Sequence, residues 1–451
     1  MGWVKMKLGD VLKNREGRFK PNDPTIANLK RIDKINFSGQ IFLSDKSSNT
    51  DMILIKKGDL VISGINVEKG ALTVYEGEED ILATIHYSSY IFDTSKIDID
   101  FLKVFLRSPD FVQLLKEQVP GGIKTEIKPK HILPLEVYFP ETTKEQKIIA
   151  EHFFEKEAKF NQLDEHISYQ LTQLENLNQA ILQEAVQGKL VKQDPKDEPA
   201  SELLKRIKSE KATRRQAQGK GKKEKTLPPI KPEEIPFEIP VNWTWCRLGE
   251  IIFDTEGGKS PHCLNQNVKG DEWGVIKTTA VQQMEFLEDE NKILPKGFKV
   301  SDNHKVCVDD VLITRAGPQN RVGVVCCVNQ LSKNLILSDK TIRFRHPKNL
   351  IYSKYLATVY NAPRMKSIIS SKMVGMAESQ VNISQDSMKS FLFPLPPLSE
   401  QKRIVAAIEK QFALTQQLKE KVIANQQATE QLLKALLHQA FEVTEMEEVN
   451  G

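Results

Sequence analysis

Glu145-Gln146-Lys147-Ile148-Ile149-Ala150 returns 255 residues later as Glu400-Gln401-Lys402-Arg403-Ile404-Val405. The likeness runs without a gap through residues 145–186 and 400–441, so that Ala180-Ile181-Leu182 meets Ala435-Leu436-Leu437. A domain-sized segment precedes each copy, and these two segments share marks. Trp3 to Lys7-Leu8-Gly9-Asp10 echoes Trp243 to Arg247-Leu248-Gly249-Glu250, and Gly58-Asp59-Leu60-Val61-Ile62-Ser63 echoes Asp309-Asp310-Val311-Leu312-Ile313-Thr314. A tandem duplication implies a pseudo-twofold axis. Such a molecule suits a partner that is itself two-fold, of which duplex DNA is the commonest.

The repeated stretches read as long helices. Thr142-Thr143-Lys144-Glu145 is a capping box, in which the Thr oxygen accepts an orphan amide and Glu145 reaches back. Phe153, Phe160, Ile167, Leu174 and Ile181 follow at strict sevens, with Leu163 and Leu177 three residues after two of them. That is a heptad seam for packing against another helix. Gly188 is a natural stop. A helix over 143–187 spans ~65–70 Å at ~1.5 Å per residue. Ser399 is expected as the N-cap of the second helix, whose seam is read as Ile408, Leu418, Val422, Leu432 and Leu436, interrupted by Thr415, Asn425 and Thr429. Polar residues on a seam set register at some cost in stability. Two such helices in one chain are expected to pair antiparallel, as a rod with a globular domain at each end. The alternative is two independent domains, each with its own capping helix.

The expected fold is α+β: two mixed α/β domains joined by two long antiparallel helices. The first domain covers 1–140. In it, Met52 to Ile62 reads as strand, tight turn, strand around Gly58-Asp59, residues 100–119 as a helix around Pro109, and Leu135, Val137 and Phe139 as an edge strand. A central helical region, 141–211, ends in a short helix from Ser201 to Lys211. A basic, then proline-punctuated linker covers 212–240. The second domain is 241–397, and the C-terminal helix 398–445.

Composition bounds the function. The chain has 451 residues, 39% of them hydrophobic and 27% charged, as in soluble globular proteins. It has no run of 18 apolar residues, and Met1 to Lys7 resembles neither a secretory signal nor a myristoylation motif, so a cytoplasmic location is expected. All five cysteines lie in the second half without a Cys-x-x-Cys, which argues for a reducing compartment. His262-Cys263 lacks the paired spacing of a zinc site and reads as a thiol beside a surface histidine. Net charge is +4, but Lys211, Arg214, Arg215, Lys220, Lys222, Lys223 and Lys225 are opposed only by Glu224. This run can touch phosphates or simply be a solvated linker.

No catalytic constellation emerges. Gly258-Lys259-Ser260 lacks the upstream glycine of a phosphate-binding loop, where Phe253 stands, and reads as a surface loop. Leu227-Pro228-Pro229-Ile230 and Leu395-Pro396-Pro397-Leu398 lack the Asp/Asn and aromatic partners of an adenine methyltransferase motif. What remains is a binding surface. Arg315, Gln319, Asn320 and Arg321 occupy a Gly/Pro loop after the Asp310–Thr314 strand. Such side chains bond base edges, Arg with guanine and Asn or Gln with adenine. Arg343, Arg345 and His346 form a second basic cluster, and Ser379-Gln380-Val381-Asn382 another polar loop. In the first domain the counterparts are Asn66, Glu68 and Lys69, then Lys124, Thr125, Lys128 and Lys130. Each also reads as an ordinary surface residue.

Pro394-Leu395-Pro396-Pro397-Leu398-Ser399-Glu400-Gln401-Lys402-Arg403-Ile404 resembles the run that opens the helical regions of specificity subunits of type I restriction–modification systems. The first copy, Phe139-Pro140-Glu141-Thr142-Thr143-Lys144-Glu145-Gln146-Lys147, is looser but keeps Glu-Gln-Lys. The resemblance implies a non-catalytic DNA-reading subunit with two target-recognition domains, each taking one half of a bipartite, asymmetric target. It implies two methyltransferase subunits and restriction subunits as partners. S-adenosylmethionine, ATP and magnesium are expected on those partners, with no cofactor on this chain. Phe154 and the Leu182/Leu437 pair are candidates for the partner surface. Competing readings are a coiled-coil adaptor that binds only proteins, and an enzyme with an unrecognised site.

Overall fold

The computed structural model describes residues 2–21, 23–37, 39–46, 48–65, 71–118, 126–217, 219 and 227–441. They fall into two compact units, Met1–Tyr169 with Lys421–Gly451, and Gln170–Glu420.

Unit 1 opens with β1 (Trp3–Lys7), β2 (Leu12–Asn14), β3 (Arg18–Phe19), β4 (Arg31–Ile35), β5 (Ile41–Ser44), β6 (Met52–Ile55), β7 (Leu60–Ser63), β8 (Leu72–Val74), β9 (Ile81–Thr84) and β10 (Tyr87–Phe92). Helices α1 (Ile99–Leu106), α2 (Pro109–Gln118) and α3 (Pro129–Ile132) follow, then β11 (Glu136–Pro140) and the start of α4 (Thr143–Val186). The strands make one sheet in the order β3-β6-β9-β4-β5, a second in the order β2-β10-β7-β8, and the pair β1-β11. The single helix expected over 100–119 is two, because Pro109 cannot continue a helix but suits a first position.

Unit 2 holds α5 (Ala200–Ala217), β12 (Thr244–Arg247), α6 (Leu248–Ile251), β13 (Asp254–Gly257), β14 (Trp273–Ile276), β15 (Asn291–Ile293), β16 (Val311–Thr314), β17 (Ala316–Gly317), β18 (Val325–Cys327), β19 (Asn334–Ile336) and β20 (Thr341–Arg345). After α7 (Ser353–Asn361) and α8 (Pro363–Ser371) come β21 (Val374–Ala377), β22 (Gln380–Asn382), α9 (Gln385–Lys389), β23 (Leu392–Leu395) and α10 (Leu398–Phe441). Its sheets are β13-β20-β16-β18, β15-β14-β19, β17-β22-β21 and β12-β23. Helix α5 passes six residues beyond the expected end at Lys211, burying Ala200, Leu203, Ile207 and the Lys211 stem along one face. The glycine-rich 254–260 stretch is not simply a loop: it begins as β13, and a Cβ on Gly258 would collide with the Leu337 carbonyl.

Each sequence echo has a structural cause. In the Leu-Gly-acid turn, the acid caps the amide three residues earlier: Lys7 N to Asp10 Oδ2 is 2.9 Å and Arg247 N to Glu250 Oε2 is 2.7 Å. In the second echo, Asp59 accepts from Lys56 N at 2.9 Å and Asp310 from Cys307 N at 2.8 Å. The residue before each is left-handed, Gly58 at φ 86° and Asp309 at φ 64°. Only glycine takes that conformation freely. Asp309→Gly is therefore expected to raise stability by about 0.5–1 kcal/mol in urea denaturation.

The Glu-Gln motif is a clamp, built alike in both units. Gln146 accepts from Asp98 N at 2.7 Å and donates to Pro140 O at 3.0 Å. Gln401 accepts from Tyr352 N at 2.9 Å and donates to Pro396 O at 3.1 Å. Asp98 and Tyr352 are the N-caps of α1 and α7. Each glutamine thus ties a domain helix to the start of a long helix. The glutamates differ. Glu145 caps its own helix with Thr142, whereas buried Glu400 accepts from Trp243 Nε1 at 2.9 Å and Gln193 Nε2 at 2.6 Å. Burial pushes the Glu400 carboxyl above its usual range, against the pull of those bonds.

Both long helices have 44 residues, offset by the same 255 positions as the sequence repeat. They run antiparallel within each unit. In unit 1 Gln426 donates to Asp164 at 3.0 Å, and in unit 2 Thr415 donates to Asn178 at 2.8 Å. On α4 the expected row holds: Phe153, Ile167 and Ile181 are buried, and Phe160 and Leu174 half-buried. Its companion row lies four residues on, at Ala150, Glu157, Asp164, Leu171, Asn178 and Ala185. Leu163 and Leu177, expected on the seam, are each 46% exposed. On α10, Ile408, Val422 and Leu436 face inward with Thr415 and Thr429, while Leu418 and Leu432 are exposed and Asn425 is off the seam. Polar residues at several inner positions hid the true row, and Leu163, Leu177, Leu418 and Leu432 lie outside it. Leu182 is buried in the unit 2 core and Phe154 packs on that of unit 1, so neither is a free docking residue. The side chain of Leu437 lies outside the described residues.

Candidate nucleic-acid interface

Sheet topology gathers the same three connections in each unit. In unit 1 the backbone leaving β7 is bonded on both sides: Gly64 N donates to His86 O at 2.8 Å, and Ile127 N donates to Gly64 O at 2.7 Å. In unit 2 the backbone leaving β16 repeats this, with Arg315 N to Lys340 O at 2.8 Å and Ile383 N to Arg315 O at 2.9 Å. The two polar loops separated in the sequence are thereby neighbours. Strand β17 pairs with β22 through Ala316↔Asn382 and Gly317↔Val381, and Gln319 N donates to Glu378 O at 2.8 Å. Gln319, Asn320, Ser379, Gln380 and Asn382 are exposed on this small sheet and its loop. Arg315 is half-buried, and among the described residues its Nε has no acceptor.

The third connection joins β14 to β15. The Arg321 guanidinium holds it, donating to Gln282 Oε1 at 3.0 Å, Thr278 O at 2.9 Å and Val281 O at 2.8 Å. Arg321 is thus a brace for this loop through its two terminal nitrogens, while among the described residues its Nε, like that of Arg315, has no acceptor. Beside it opens a polar cleft of about 760 Å³, lined among others by Lys277, Thr278, Thr279, Lys292, Lys340, Ser260, His262 and Asn265. Lys340 supplies the carbonyl that holds Arg315, so cleft and loop are continuous. Lys277 is offset by Glu290 at 3.6 Å. These lysines lie on strand ends far apart in the chain. The β14-β15 pairing would have signalled Lys277 and Lys292, while Lys340 precedes β20 of another sheet.

Arg343 is corrected to an internal residue, and Arg345 is placed away from this face. Arg343 is 0% exposed and donates to Asp310 at 2.7 Å, to Glu256 at 2.6 Å and to the Lys305 and Asn303 carbonyls, both at 2.6 Å. It is a core group, because β20 is the interior partner of both β13 and β16. Arg345 bonds Glu256 at 2.8 Å, and buried His346 bonds Phe344 O and Ser353. Arg345 stands four residues along β20 from Thr341, about 13 Å from the loop end of the strand. It belongs to a separate pocket of about 310 Å³ with Arg214 and Lys348. In unit 1, Lys128 pairs with Glu126 at 3.6 Å and Lys130 is exposed, both just beyond Ile127. Asn66, Glu68, Lys69, Lys124 and Thr125 lie outside the described residues, but the chain ends that flank them, Gly64 and Ile127, are bonded to each other.

Among the described residues no helix is long and apolar enough to cross a membrane. None of their His, Cys, Asp and Glu side chains are grouped as a metal site.

In unit 2 the exposed polar loop residues and the lysine-lined cleft lie side by side. Residues 240–425 match the family of the type I restriction modification DNA specificity domain. It is 43% identical to the EcoEI specificity subunit of a type I restriction enzyme from Escherichia coli, over 65% of this chain and 49% of that protein. To the EcoAI specificity subunit, also from Escherichia coli, it is 33% identical, over 54% of this chain and 40% of that protein. The chain thus spans about half or less of the length of these relatives. A solved chain described under the complex assembly and conformational transition of the type I R-M system shares the fold, with TM-score 0.59, 18% identity and 98% of each chain covered.

Proposed function

We propose that this chain is the DNA-specificity subunit of a type I restriction–modification complex, each unit reading one half of a bipartite, asymmetric duplex target. The observation that carries the reading is the matched backbone frame at Gly64–Ile127 and Arg315–Ile383, which stands beside segments of different sequence in the two units. A shared frame with divergent side chains is what two unlike half-sites demand. In unit 2, Arg315, Gln319, Asn320, Gln380 and Asn382 supply groups for base edges, while Lys277, Lys292 and Lys340 supply charge for phosphates.

In this reading the chain has no catalytic site. It recruits two methyltransferase subunits and the restriction subunits, which bring S-adenosylmethionine, ATP and magnesium, and it works in the cytoplasm. Exposed leucines at 163, 177, 414, 418 and 432 leave apolar surface on the long helices, which suits protein partners. The same leucines favour the second reading, an adaptor that binds only proteins.

The purified chain, with and without methyltransferase partners, is expected to bind one bipartite duplex with steep salt dependence. Arg315→Ala should relax the preference only in the half-site of unit 2, by about 1–3 kcal/mol. Equal weakening on all sequences would make Arg315 a phosphate contact. Indifference to DNA sequence would leave the adaptor reading.

A further inference from the structure

The connection between β4 and β5 in unit 1 is the counterpart of the β14–β15 connection in unit 2. Strand β4 pairs antiparallel with β5 and parallel with β9, just as β14 pairs with β15 and β19. In unit 2 this connection is braced to the candidate recognition loop through Arg321. In unit 1 it is a tight hairpin whose tip meets the corresponding place. A Cβ on Gly39 would lie 2.9 Å from the Leu72 carbonyl, at the foot of the connection that leaves Gly64.

The backbone on either side of the tip is hydrogen-bonded. Gly39 N donates to Asn36 O at 3.0 Å, Asn36 N to Gln40 O at 3.0 Å, and Gln40 N to Asn36 Oδ1 at 2.8 Å. Gly39 takes φ +84°, which closes the turn. Next to these bonds stands Phe37, which is 58% exposed. Exposed Lys30, Lys34 and Lys46 outnumber exposed Asp33 and Asp45 on the ribbon and its flanks, Asp33 lying 3.8 Å from Arg31 and Lys34 lying 4.9 Å from the centre of the Phe42 ring. A large aromatic on a cationic two-stranded ribbon has a specific use. Such a ribbon fits a DNA major groove about 12 Å wide, where phenylalanine is a partner for the thymine methyl group.

We propose that the β4–β5 hairpin is a further recognition element of unit 1, and that Phe37 packs against a thymine methyl in the major groove of its half-site. The proposal rests on the specificity reading above. Its test begins with a duplex selected from a random library by the full chain. Each thymine is replaced in turn by deoxyuridine, against the wild-type chain and the Phe37→Ala and Phe37→Leu variants.

At one thymine of one half-site, deoxyuridine is expected to weaken wild-type binding about four-fold, the worth of one buried methyl. Phe37→Ala should weaken binding to the thymine duplex at least as much and lose all sensitivity to that substitution. Phe37→Leu should keep part of it, with thermal unfolding unchanged in both variants. Independent, multiplying effects would overturn the proposal. So would a silent Phe37, a half-site without thymine, or brightening of 2-aminopurine at a base step that depends on Phe37, which would mark a minor-groove wedge. Failure of the wild-type chain to select any duplex would overturn the specificity reading and this proposal together. A selected duplex with a silent Phe37 would overturn this proposal alone.

Discussion

Arg343→Met is expected to destabilise unit 2 by about 3–5 kcal/mol, the cost of leaving a buried charge without its partner. Methionine replaces the volume of the arginine stem, so the loss is electrostatic and not a cavity. It strands the Asp310 carboxylate, which is 3% exposed, together with the carbonyls of Asn303 and Lys305. Adding Asp310→Asn removes the stranded charge and keeps an oxygen for the Cys307 amide. The double variant should regain about 1–2 kcal/mol. Urea denaturation of the full chain reads both effects, with tryptophan fluorescence reporting on unit 2 through Trp243, Trp245 and Trp273. An unchanged midpoint for Arg343→Met would mean that the guanidinium is not the keystone of that sheet. Reduced DNA binding in this variant should track unfolding and not show a changed base preference.

Gln401→Met is expected to cost about 2–4 kcal/mol, because two backbone groups lose their partners at about 1–3 kcal/mol each. The amide of Tyr352 and the carbonyl of Pro396 are those groups. Gln146→Met should do the same in unit 1, through Asp98 and Pro140. The contrast with neighbours is the informative part. Lys147→Met and Lys402→Met alter exposed residues of the same motif and should shift stability by less than about 0.5 kcal/mol. Were the lysine variants as damaging as the glutamine ones, the motif would not act as a clamp in the folded chain.

Much of the fold was legible because it is periodic or repeated. Heptad spacing at Phe153, Phe160, Ile167, Leu174 and Ile181 located α4, and the offset repeat placed α10. Here one helix face and one register decide burial, and both are short-range properties of the chain. The companion rows were misjudged for a physical reason. At Asp164, Asn178, Thr415 and Gln426 the inner positions are polar and satisfied by each other, so hydrophobicity points to Leu163, Leu177, Leu418 and Leu432 instead.

The candidate interface was half legible. Gln319, Asn320, Gln380 and Asn382 were marked as polar loop residues, but nothing local joins the two loops; β17 and β22 do. Composition treats Arg343 and Arg315 alike, as basic residues beside strands. Tertiary structure separates them. Arg343 sits mid-strand between two neighbours in a sheet, where only a charge with several partners can be buried, while Arg315 begins a loop. The sequence alone established the duplication, the long helices and the kind of surface to look for, because these depend on spacing along the chain. Which cations are internal braces, which lysines line the cleft, and which hairpin packs on β8 depended on pairing between distant strands, and spacing carries no record of that.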